Sequence, residues 1–434
     1  MNNNADPIKS NTFIFSRNFL PFFWVQWLGA LNDNVFKNAL VMIILFHLNL
    51  DLAVATQWVT AAAGIFILPF FVFSNWAGNR ADHQDKVQMV RWLKLMEVGI
   101  MLLAILALWS KMVPLMMLVL FLMGTQSAFF GPIKYALLPD YLPEKSLDSA
   151  NAIFSGSTFL AILLGTLIAG LLVTHSENFL QTLSWLSIII LSLAGLGFLA
   201  SLWMPKVSAF NQNVKTEPTR QKRSLKALLQ QARQFKLAFR AVLAISCFWL
   251  VGAVFLSQVP LFAEILTQSM PTETLKFSAE ALTTIMLSCF ILGIGLGAAG
   301  IVWRLRRAYD FYWVWRMGLG LGVSIGILAV ALWGQVTQAI ALPLELFLGL
   351  LMIIATTGGA FVVPFYRIMQ CKTPQYFRAS MVAANNILNA GFMVLVSIIM
   401  MIAYQLGLKL QDILLGLAII TLAAMMLLKK QAQP

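Results

Sequence analysis

Long apolar stretches alternate with short polar ones along most of the chain. Twelve of these stretches are long enough to cross a hydrocarbon core of about 30 Å as a helix. We predict membrane-spanning helices at 18–47, 53–77, 90–109, 114–138, 150–174, 180–204, 241–266, 279–303, 311–334, 340–366, 379–405 and 410–428. The pattern therefore predicts an all-α polytopic membrane protein with two bundles of six spans.

The composition agrees with this prediction. Hydrophobic residues make up 60% of the chain and charged residues 11%, whereas soluble domains carry about 25% charged residues. If the N-terminus is cytoplasmic, most connections rich in Lys and Arg fall on that side, and the opposite side keeps only Lys111, Lys276 and Lys409. By the positive-inside rule we predict two cytoplasmic termini. The distribution of the net charge of +13 is thus explained by the orientation of the chain in the membrane, and no nucleic acid is expected as a partner.

The polar segment 205–240 separates the two sets of spans. It contains nine Lys or Arg residues and one acid, Glu217. Its second part repeats apolar residues at helical spacing: Leu225, Leu228, Leu229, Ala232 and Phe235. This pattern predicts an amphipathic helix on the anionic inner leaflet, and a plain charged linker is the alternative. We expect an N-terminal bundle at 1–204, a basic linker at 205–240 and a C-terminal bundle at 241–434.

Short sequences recur in the two halves. AFFGP begins at Ala128 and AFVVP at Ala360, each at the end of the fourth span of its half. SANAIF from Ser149 and AANNIL from Ala383 then open the fifth spans. The order and position of both pairs predict that the halves are parallel repeats, an arrangement that places a substrate site between them.

Polar residues interrupt the first span in the stretch GALNDNVFKNAL, Gly29 to Leu40. A charged side chain at the centre of a bilayer costs at least ~2.5–3.5 kcal/mol and usually faces the bundle interior or a wet cavity. Asp33 and Lys37 are four residues apart and can form an ion pair. Such a pair can hold helices together or line a transport cavity, and the two interpretations are compatible. Further candidates in the spans are Asn34, Lys134, Gln258, Asn385 and Asn389.

Other patterns argue against an enzyme. GLGAAG, Gly295 to Gly300, matches a dinucleotide fingerprint in letters, but it lies inside an apolar span, where small residues allow helices to pack closely. The sequence has no P-loop, and its three histidines and three cysteines are scattered. We therefore expect no catalytic activity, no cofactor and no metal.

The segment GNRADHQDK, Gly78 to Lys86, follows the second span and resembles the loop signature of the major facilitator superfamily. In that family the acid that matches Asp82 helps to latch the two halves on the cytoplasmic side. The resemblance implies a gating loop that includes Gly78, Asp82 and Lys86.

Longer stretches resemble one branch of this superfamily, the lysophospholipid transporters, and are closest to the transporter portion of fusion proteins with acyltransferase and acyl-carrier-protein synthetase domains. They are WLGALNDNVFKNAL, GIFILPFFVFSNWAGNRAD, LVLFLMGTQSAFFGPIKYALLPDYL, TFLAILLGTLIAG, FWLVGAVFLSQVP and AANNILNAGFMV. The resemblance implies movement of lysophospholipids such as lysophosphatidylethanolamine from the outer to the inner leaflet of the bacterial inner membrane. The resemblance also implies an acyltransferase as a partner, which re-acylates them there.

The residue chemistry suits such a headgroup. We expect Asp33 to bind the ammonium, and Lys134 with Lys37 to bind the phosphate. Asn34, Gln258, Asn385 and Asn389 are the neutral partners, and rocking of the halves exposes the site to each leaflet. Two alternatives stay open: a proton-coupled exporter of amphipathic drugs, and a membrane adaptor that recruits an acyltransferase without transporting anything.

Overall fold

The computed structural model describes residues 13–48, 50–175, 178–206, 224–269, 279–305, 311–337 and 343–432. Within these ranges the regular structure is helical, which confirms the all-α prediction. The helices are α1 (Leu20–Phe46), α2 (Leu52–His83), α3 (Lys86–Ser110), α4 (Val113–Tyr141), α5 (Leu147–His175), α6 (Phe179–Leu202), α7 (Leu225–Gln234), α8 (Lys236–Ser269), α9 (Ala279–Leu305), α10 (Phe311–Val336), α11 (Leu344–Cys371), α12 (Arg378–Gln405) and α13 (Leu410–Ala432).

Every predicted span coincides with one of these helices. Eleven helices in the described ranges are long and apolar enough to cross a membrane, and α13 contributes a shorter apolar segment, Leu410–Met426. The chain is therefore a multi-pass membrane protein, whereas the count of twelve spans and the side of the termini stay predictions. Lys276 and the linker residues 207–223 lie outside the described residues.

The recurrent segment of the two halves has the same local geometry in both places. After α4 a single 3-10 turn, Glu144–Ser146, leads directly into α5, and after α11 the turn Gln375–Phe377 leads into α12. A proline precedes each turn, Pro143 in one half and Pro374 in the other. Proline suits this position because its fixed φ favours the turn and its missing N–H is not needed there.

The chain folds as two compact units. Unit 1 comprises Met1–Ala150, Ser157–Arg240 and Ile368–Ile387, and unit 2 comprises Asn151–Gly156, Ala241–Arg367 and Leu388–Pro434. In unit 1, α1 packs against α6, α2 against α4, and α3 against both α4 and α6. In unit 2, α10 packs along α13. Unit 1 thus takes in the linker and the start of α12, and the predicted boundaries at 204 and 240 stay a prediction.

The predicted amphipathic helix of the linker is present as α7. Leu228 and Ala232 on its apolar side have no exposed surface, and the ring of Phe235 lies 5.4 Å from that of Phe377 between centroids. Leu228 and Ala232 are therefore covered by protein, and the expectation that they lie on lipid is wrong for these two residues, whereas Leu225 of the same face is 45% exposed. Packing against a neighbouring turn excludes water from the same side chains that a bilayer would have covered.

The glycines of GLGAAG lie within α9 and allow close packing against α11. A Cβ atom at Gly297 would clash with the backbone carbonyl oxygen of Thr356, and one at Gly293 would lie 2.7 Å from the Cβ of Ala355. Gly295, on another side of α9, faces open space. The interpretation as small-residue packing is confirmed, because a side chain at Gly297 would force the two helices apart.

Gly297→Ala is therefore expected to destabilise the protein by about 1–3 kcal/mol, as overpacking does. Gly295→Ala is the matched control in the same helix, where Ala removes the flexibility of Gly without a clash. The midpoint of thermal unfolding in detergent micelles measures both variants. Equal midpoints for the two variants would contradict the close approach at Gly297.

Candidate functional site

The asparagines of α1 satisfy part of their hydrogen-bonding capacity within the helix itself. Asn34 donates from Nδ2 to the carbonyl oxygen of Ala30 at 2.8 Å, and Asn38 donates to that of Asn34 at 2.8 Å. Asn38 also donates to the hydroxyl of Thr166 on α5 at 3.0 Å. Because buried polar groups are costly only when they lack partners, these contacts explain how an apolar helix accommodates several amides.

Asp33 and Lys37 face different neighbours. The hydroxyl of Ser127 on α4 donates to Oδ2 of Asp33 at 2.7 Å. Lys37 donates from Nζ to Oδ1 of Asn34 at 3.2 Å and lies 5.5 Å from the ring centroid of Phe66 on α2. Among the described residues, the expected Asp33–Lys37 ion pair is not formed within 4 Å, because the carboxylate meets α4 and the ammonium meets α2.

A buried ion pair on α3 was missed by the sequence analysis. Lys94 Nζ lies 2.7 Å from Oε2 of Glu97, and the two side chains are 1% and 4% exposed. The sequence could have indicated this pair, because Lys94 and Glu97 have opposite charges, are three residues apart and fall inside the predicted span 90–109. Burial at this depth requires each charge to have a close partner, and the pair provides one for both.

Glu97 also connects α1, α3 and α4 of unit 1. Its Oε1 accepts a hydrogen bond from Nδ2 of Asn32 at 3.2 Å, and its Oε2 accepts one from Nε2 of Gln126 at 3.1 Å. Gln126 and Asn32 are the chain neighbours of Ser127 and Asp33, which are themselves hydrogen-bonded. A continuous polar network therefore runs from the α3 ion pair to the carboxylate of Asp33.

A second polar contact lies farther along the same two helices. Gln26 on α1 and Lys134 on α4 both donate to the hydroxyl of Thr158 on α5, at 2.8 and 3.4 Å. Gln26 precedes Asp33 by seven residues and Lys134 follows Ser127 by seven, so α1 and α4 are antiparallel. Seven residues are about two helical turns, or roughly 10 Å. One level contains Asp33 and Lys37, and the other contains Gln26 and Lys134. We call the residues of these two levels the polar strip of unit 1.

The remaining predicted headgroup residues have other surroundings. Asn385, at the unit 1 end of α12, is 1% exposed, and its Oδ1 accepts no hydrogen bond from the described residues. Asn389 and Gln258 belong to unit 2. Asn389 accepts from the hydroxyl of Ser246 at 2.7 Å, and Gln258 accepts from that of Tyr404 at 2.7 Å. The structure thus unites Asp33, Asn34, Lys37 and Lys134 along the polar strip of unit 1, whereas Asn385 lies on α12 and Gln258 and Asn389 belong to unit 2.

The predicted gating loop is mostly helical, which corrects the sequence analysis. α2 continues to His83, so Gly78 and Asp82 lie on its last turns, and Lys86 already begins α3. Asp85 caps α3 by accepting hydrogen bonds from two backbone N–H groups of its first turn, at 2.9 and 3.1 Å. A good N-cap fixes the start of a helix, and this explains why the connection is so short.

Asp82 caps a different helix, α12. Its Oδ1 accepts from the N–H of Ala379 at 2.7 Å and its Oδ2 from the N–H of Ser380 at 2.9 Å. Carboxylates are favoured at helix N-termini, because the first N–H groups lack partners within the helix and the helix dipole is positive there. A Cβ atom at Gly78, one turn earlier on α2, would lie 2.6 Å from that of Ala383. Gly78 therefore permits the approach that Asp82 completes.

Asp140 at the end of α4 gathers two cations next to this contact. Lys86 Nζ lies 3.1 Å from its Oδ2, and Arg378 Nη1 lies 3.0 Å from its Oδ1. The Asp140 side chain is only 4% exposed, so solvent screens these pairs weakly. Asp140 and Arg378 were not predicted, because their proximity depends on contacts between residues 238 positions apart.

Comparison with known proteins identifies the family. The profile of the Major Facilitator Superfamily matches residues 22–397. This chain belongs to the Major Facilitator Superfamily. It is similar to the lysophospholipid transporter LplT of Escherichia coli (strain SE11), with 23% identity over 421 residues that cover 95% of each chain.

Solved structures agree on the fold. A bacterial homologue of the iron transporter ferroportin in an outward-facing state has a TM-score of 0.66 and 15% identity, and the match covers 93% of this chain and 97% of that one. The human organic anion transporter MFSD10 (TETRAN) has a TM-score of 0.67 and 15% identity, with 95% and 99% covered. At these identities the likeness shows a shared fold alone.

Removal of the Asp82 carboxylate is expected to loosen the start of α12. In a background without the native cysteines, we expect Asp82→Ala to raise the rate at which a maleimide labels a cysteine introduced at Ser380, by about tenfold. The reason is that loss of a helix cap costs about 1–2 kcal/mol, and about 1.4 kcal/mol is a tenfold change in population. Asp85→Ala, which removes only the cap of α3, is the control. Equal labelling in both variants would contradict the role assigned to Asp82.

Proposed function

We propose that this chain transports lysophospholipids, such as lysophosphatidylethanolamine, from the outer to the inner leaflet of a bacterial inner membrane. Two findings support the proposal. The similarity to the lysophospholipid transporter LplT extends over 95% of both chains, and unit 1 contains a half-buried polar strip with both signs of charge. The twelve spans and cytoplasmic termini predicted from the sequence belong to the same proposal.

The surroundings of the Asp33 carboxylate are the main structural support for this proposal. Its carboxylate accepts a short hydrogen bond from the neutral hydroxyl of Ser127 and has no ion pair within 4 Å among the described residues. A half-buried carboxylate without a cationic partner attracts a cation that arrives from outside the protein. The ammonium group of an ethanolamine headgroup is such a cation.

The phosphate of the same headgroup then has two lysines within reach. Side chains four apart on a helix are about 5–6 Å apart at their Cβ atoms, so an ammonium on Asp33 places the adjacent phosphate near Lys37. Lys134 offers a second cation about two turns farther along the polar strip, and Asn34 is a neutral partner beside Lys37. Asn385, Gln258 and Asn389 are proposed as neutral contacts at other stages of the transport cycle.

The contacts around Asp82 serve as the cytoplasmic gate in this proposal. Opening it breaks the two N–H contacts of Asp82 and the ion pairs of Asp140 with Lys86 and Arg378. In the described part of the linker, Lys226, Arg233 and Lys236 are exposed and remain a proposed contact with anionic lipid. After release into the inner leaflet, the lysophospholipid is the acceptor for an acyltransferase, which we propose as a functional partner.

The assignment of Asp33 is tested in proteoliposomes that contain the purified protein and a fluorescent lysophosphatidylethanolamine. Asp33→Asn is expected to slow transfer between leaflets at least about tenfold, because a hydrogen bond to a charged group is worth about 1.5–3 kcal/mol. Lys134→Met is expected to act in the same direction. Asp51→Asn is the matched control, since Asp51 is exposed and its side chain caps no N–H group.

Unchanged transfer in Asp33→Asn would contradict the headgroup assignment. Transfer that collapses when the membrane is uncoupled would instead favour the proton-coupled exporter. A wild-type protein that moves no lysophospholipid would contradict the proposed function and favour the adaptor.

A further inference from the structure

The ion pair of Lys94 and Glu97 has no part in the headgroup contacts described above. It is more deeply buried than the other ion pairs in the described part of the chain, in which Lys86 and Arg378 are 13% and 14% exposed. A buried ion pair often adds no stability over apolar side chains of similar volume, because desolvation offsets the attraction. The residues around the pair therefore indicate what role it has besides stability.

The fold provides a specific space for Lys94. A Cβ atom at Gly29 on α1 would collide with its Nζ and would lie 3.7 Å from Oε2 of Glu97. A Cβ atom at Gly197 on α6 would lie 3.6 Å from the same Nζ, and the ring centroid of Phe130 on α4 is 5.5 Å away. Three helices thus enclose the ammonium, and the nearest of them is α1, which also carries Asp33.

The carboxylate of Glu97 is held by donors from three helices. It accepts hydrogen bonds from Lys94 at 2.7 Å, from Gln126 at 3.1 Å and from Asn32 at 3.2 Å. These bonds fix which way the two amides point. Because Nε2 of Gln126 donates to Glu97, its Oε1 is directed elsewhere and lies 3.4 Å from the hydroxyl of Ser127.

Ser127 and Asp33 directly follow these two amides in the chain. Ser127 is the next residue after Gln126 on α4, and Asp33 is the next residue after Asn32 on α1. The bond between Ser127 and Asp33 at 2.7 Å joins the two helices at the same level as the Glu97 bonds do. Glu97 is thus one of the groups that hold α1 and α4 in register beside the Asp33 carboxylate.

We propose that Lys94 and Glu97 are positioning residues that hold the Asp33 carboxylate toward the substrate and so set the preference for lysophospholipids with an amine in the headgroup. This inference rests on the proposed function and extends it to selectivity. A fixed carboxylate favours an ammonium over a neutral headgroup, because the ligand gains the full charge-assisted bond without reorganising the protein.

The test compares two lysolipids in proteoliposomes: lysophosphatidylethanolamine, which has an amine, and lysophosphatidylglycerol, which has none. The measured quantity is the ratio of their initial transfer rates, which does not depend on the amount of folded protein. We expect the double variant Lys94→Met/Glu97→Leu to lower this ratio by about tenfold, as loss of one charge-assisted hydrogen bond does. Lys94→Met/Glu97→Gln keeps an oxygen acceptor at position 97 and is expected to restore part of the ratio.

A glycine variant tests the same point without removing a polar group. Gly29→Ala is expected to displace the flexible end of Lys94 from Glu97 and to lower the ratio in the same direction. Gly99→Ala is the matched control, since a Cβ atom there, two residues after Glu97, meets open space. This variant also keeps the proposal testable if the double variant fails to fold.

If Asp33→Asn lowers the ratio, but folded Gly29→Ala or the folded double variant leaves it unchanged, the inference is overturned. The proposed function stands in that case. A wild-type protein that transfers neither lysolipid would instead contradict the proposed function itself. A lowered ratio in Gly99→Ala as well would also overturn the inference, because the effect would not then depend on the Lys94 site.

Discussion

Charges buried among apolar helices need partners that replace water, and this requirement organises unit 1. Glu97 satisfies it with three donors from three helices. Lys94 satisfies it with Glu97, in a space that Gly29 leaves open. Asp33 differs, because its carboxylate accepts a hydrogen bond from the neutral hydroxyl of Ser127 and has no ion pair within 4 Å among the described residues. The Glu97 carboxylate is thus fully paired, whereas that of Asp33 has no close cation. This contrast is the physical basis for the proposal that a headgroup ammonium binds at Asp33.

The two ends of the polar strip suggest how a zwitterion is accommodated. Asp33 and Lys37 lie one turn apart on α1, whereas Lys134 lies about two turns from the level of Asp33. A headgroup that moves along the strip keeps a cation near its phosphate at both levels. The Asp82 contacts lie at the N-terminus of α12, where the proposed gate opens by breaking two backbone hydrogen bonds and the ion pairs of Asp140.

Much of the fold could be predicted because membrane spans are determined by local apolar length. The sequence placed each span within a few residues of a helix, and the proline-preceded turns at Pro143 and Pro374 support the repeat. The gating loop was predicted less well: α2 continues through Asp82, because Asp85 starts α3 so sharply. The burial of Leu228 and Ala232 on α7 against protein could not be predicted from periodicity alone, since protein and lipid cover apolar side chains equally well.

Contacts within the candidate site were harder to predict, because they depend on which helix each side chain meets. Spacing allowed an Asp33–Lys37 pair, but packing directs one group to Ser127 and the other toward Phe66. The Asp82 contacts join residues 297 and 298 positions apart. Photocrosslinking with a lysophosphatidylethanolamine that carries a diazirine beside its amine tests the proposal that the polar groups of α1 receive a lysophospholipid headgroup. If they do, labelling of the segment Leu20–Phe46 is saturable and is competed by unlabelled lysolipid. Labelling spread over lipid-facing helices, without competition, would contradict it.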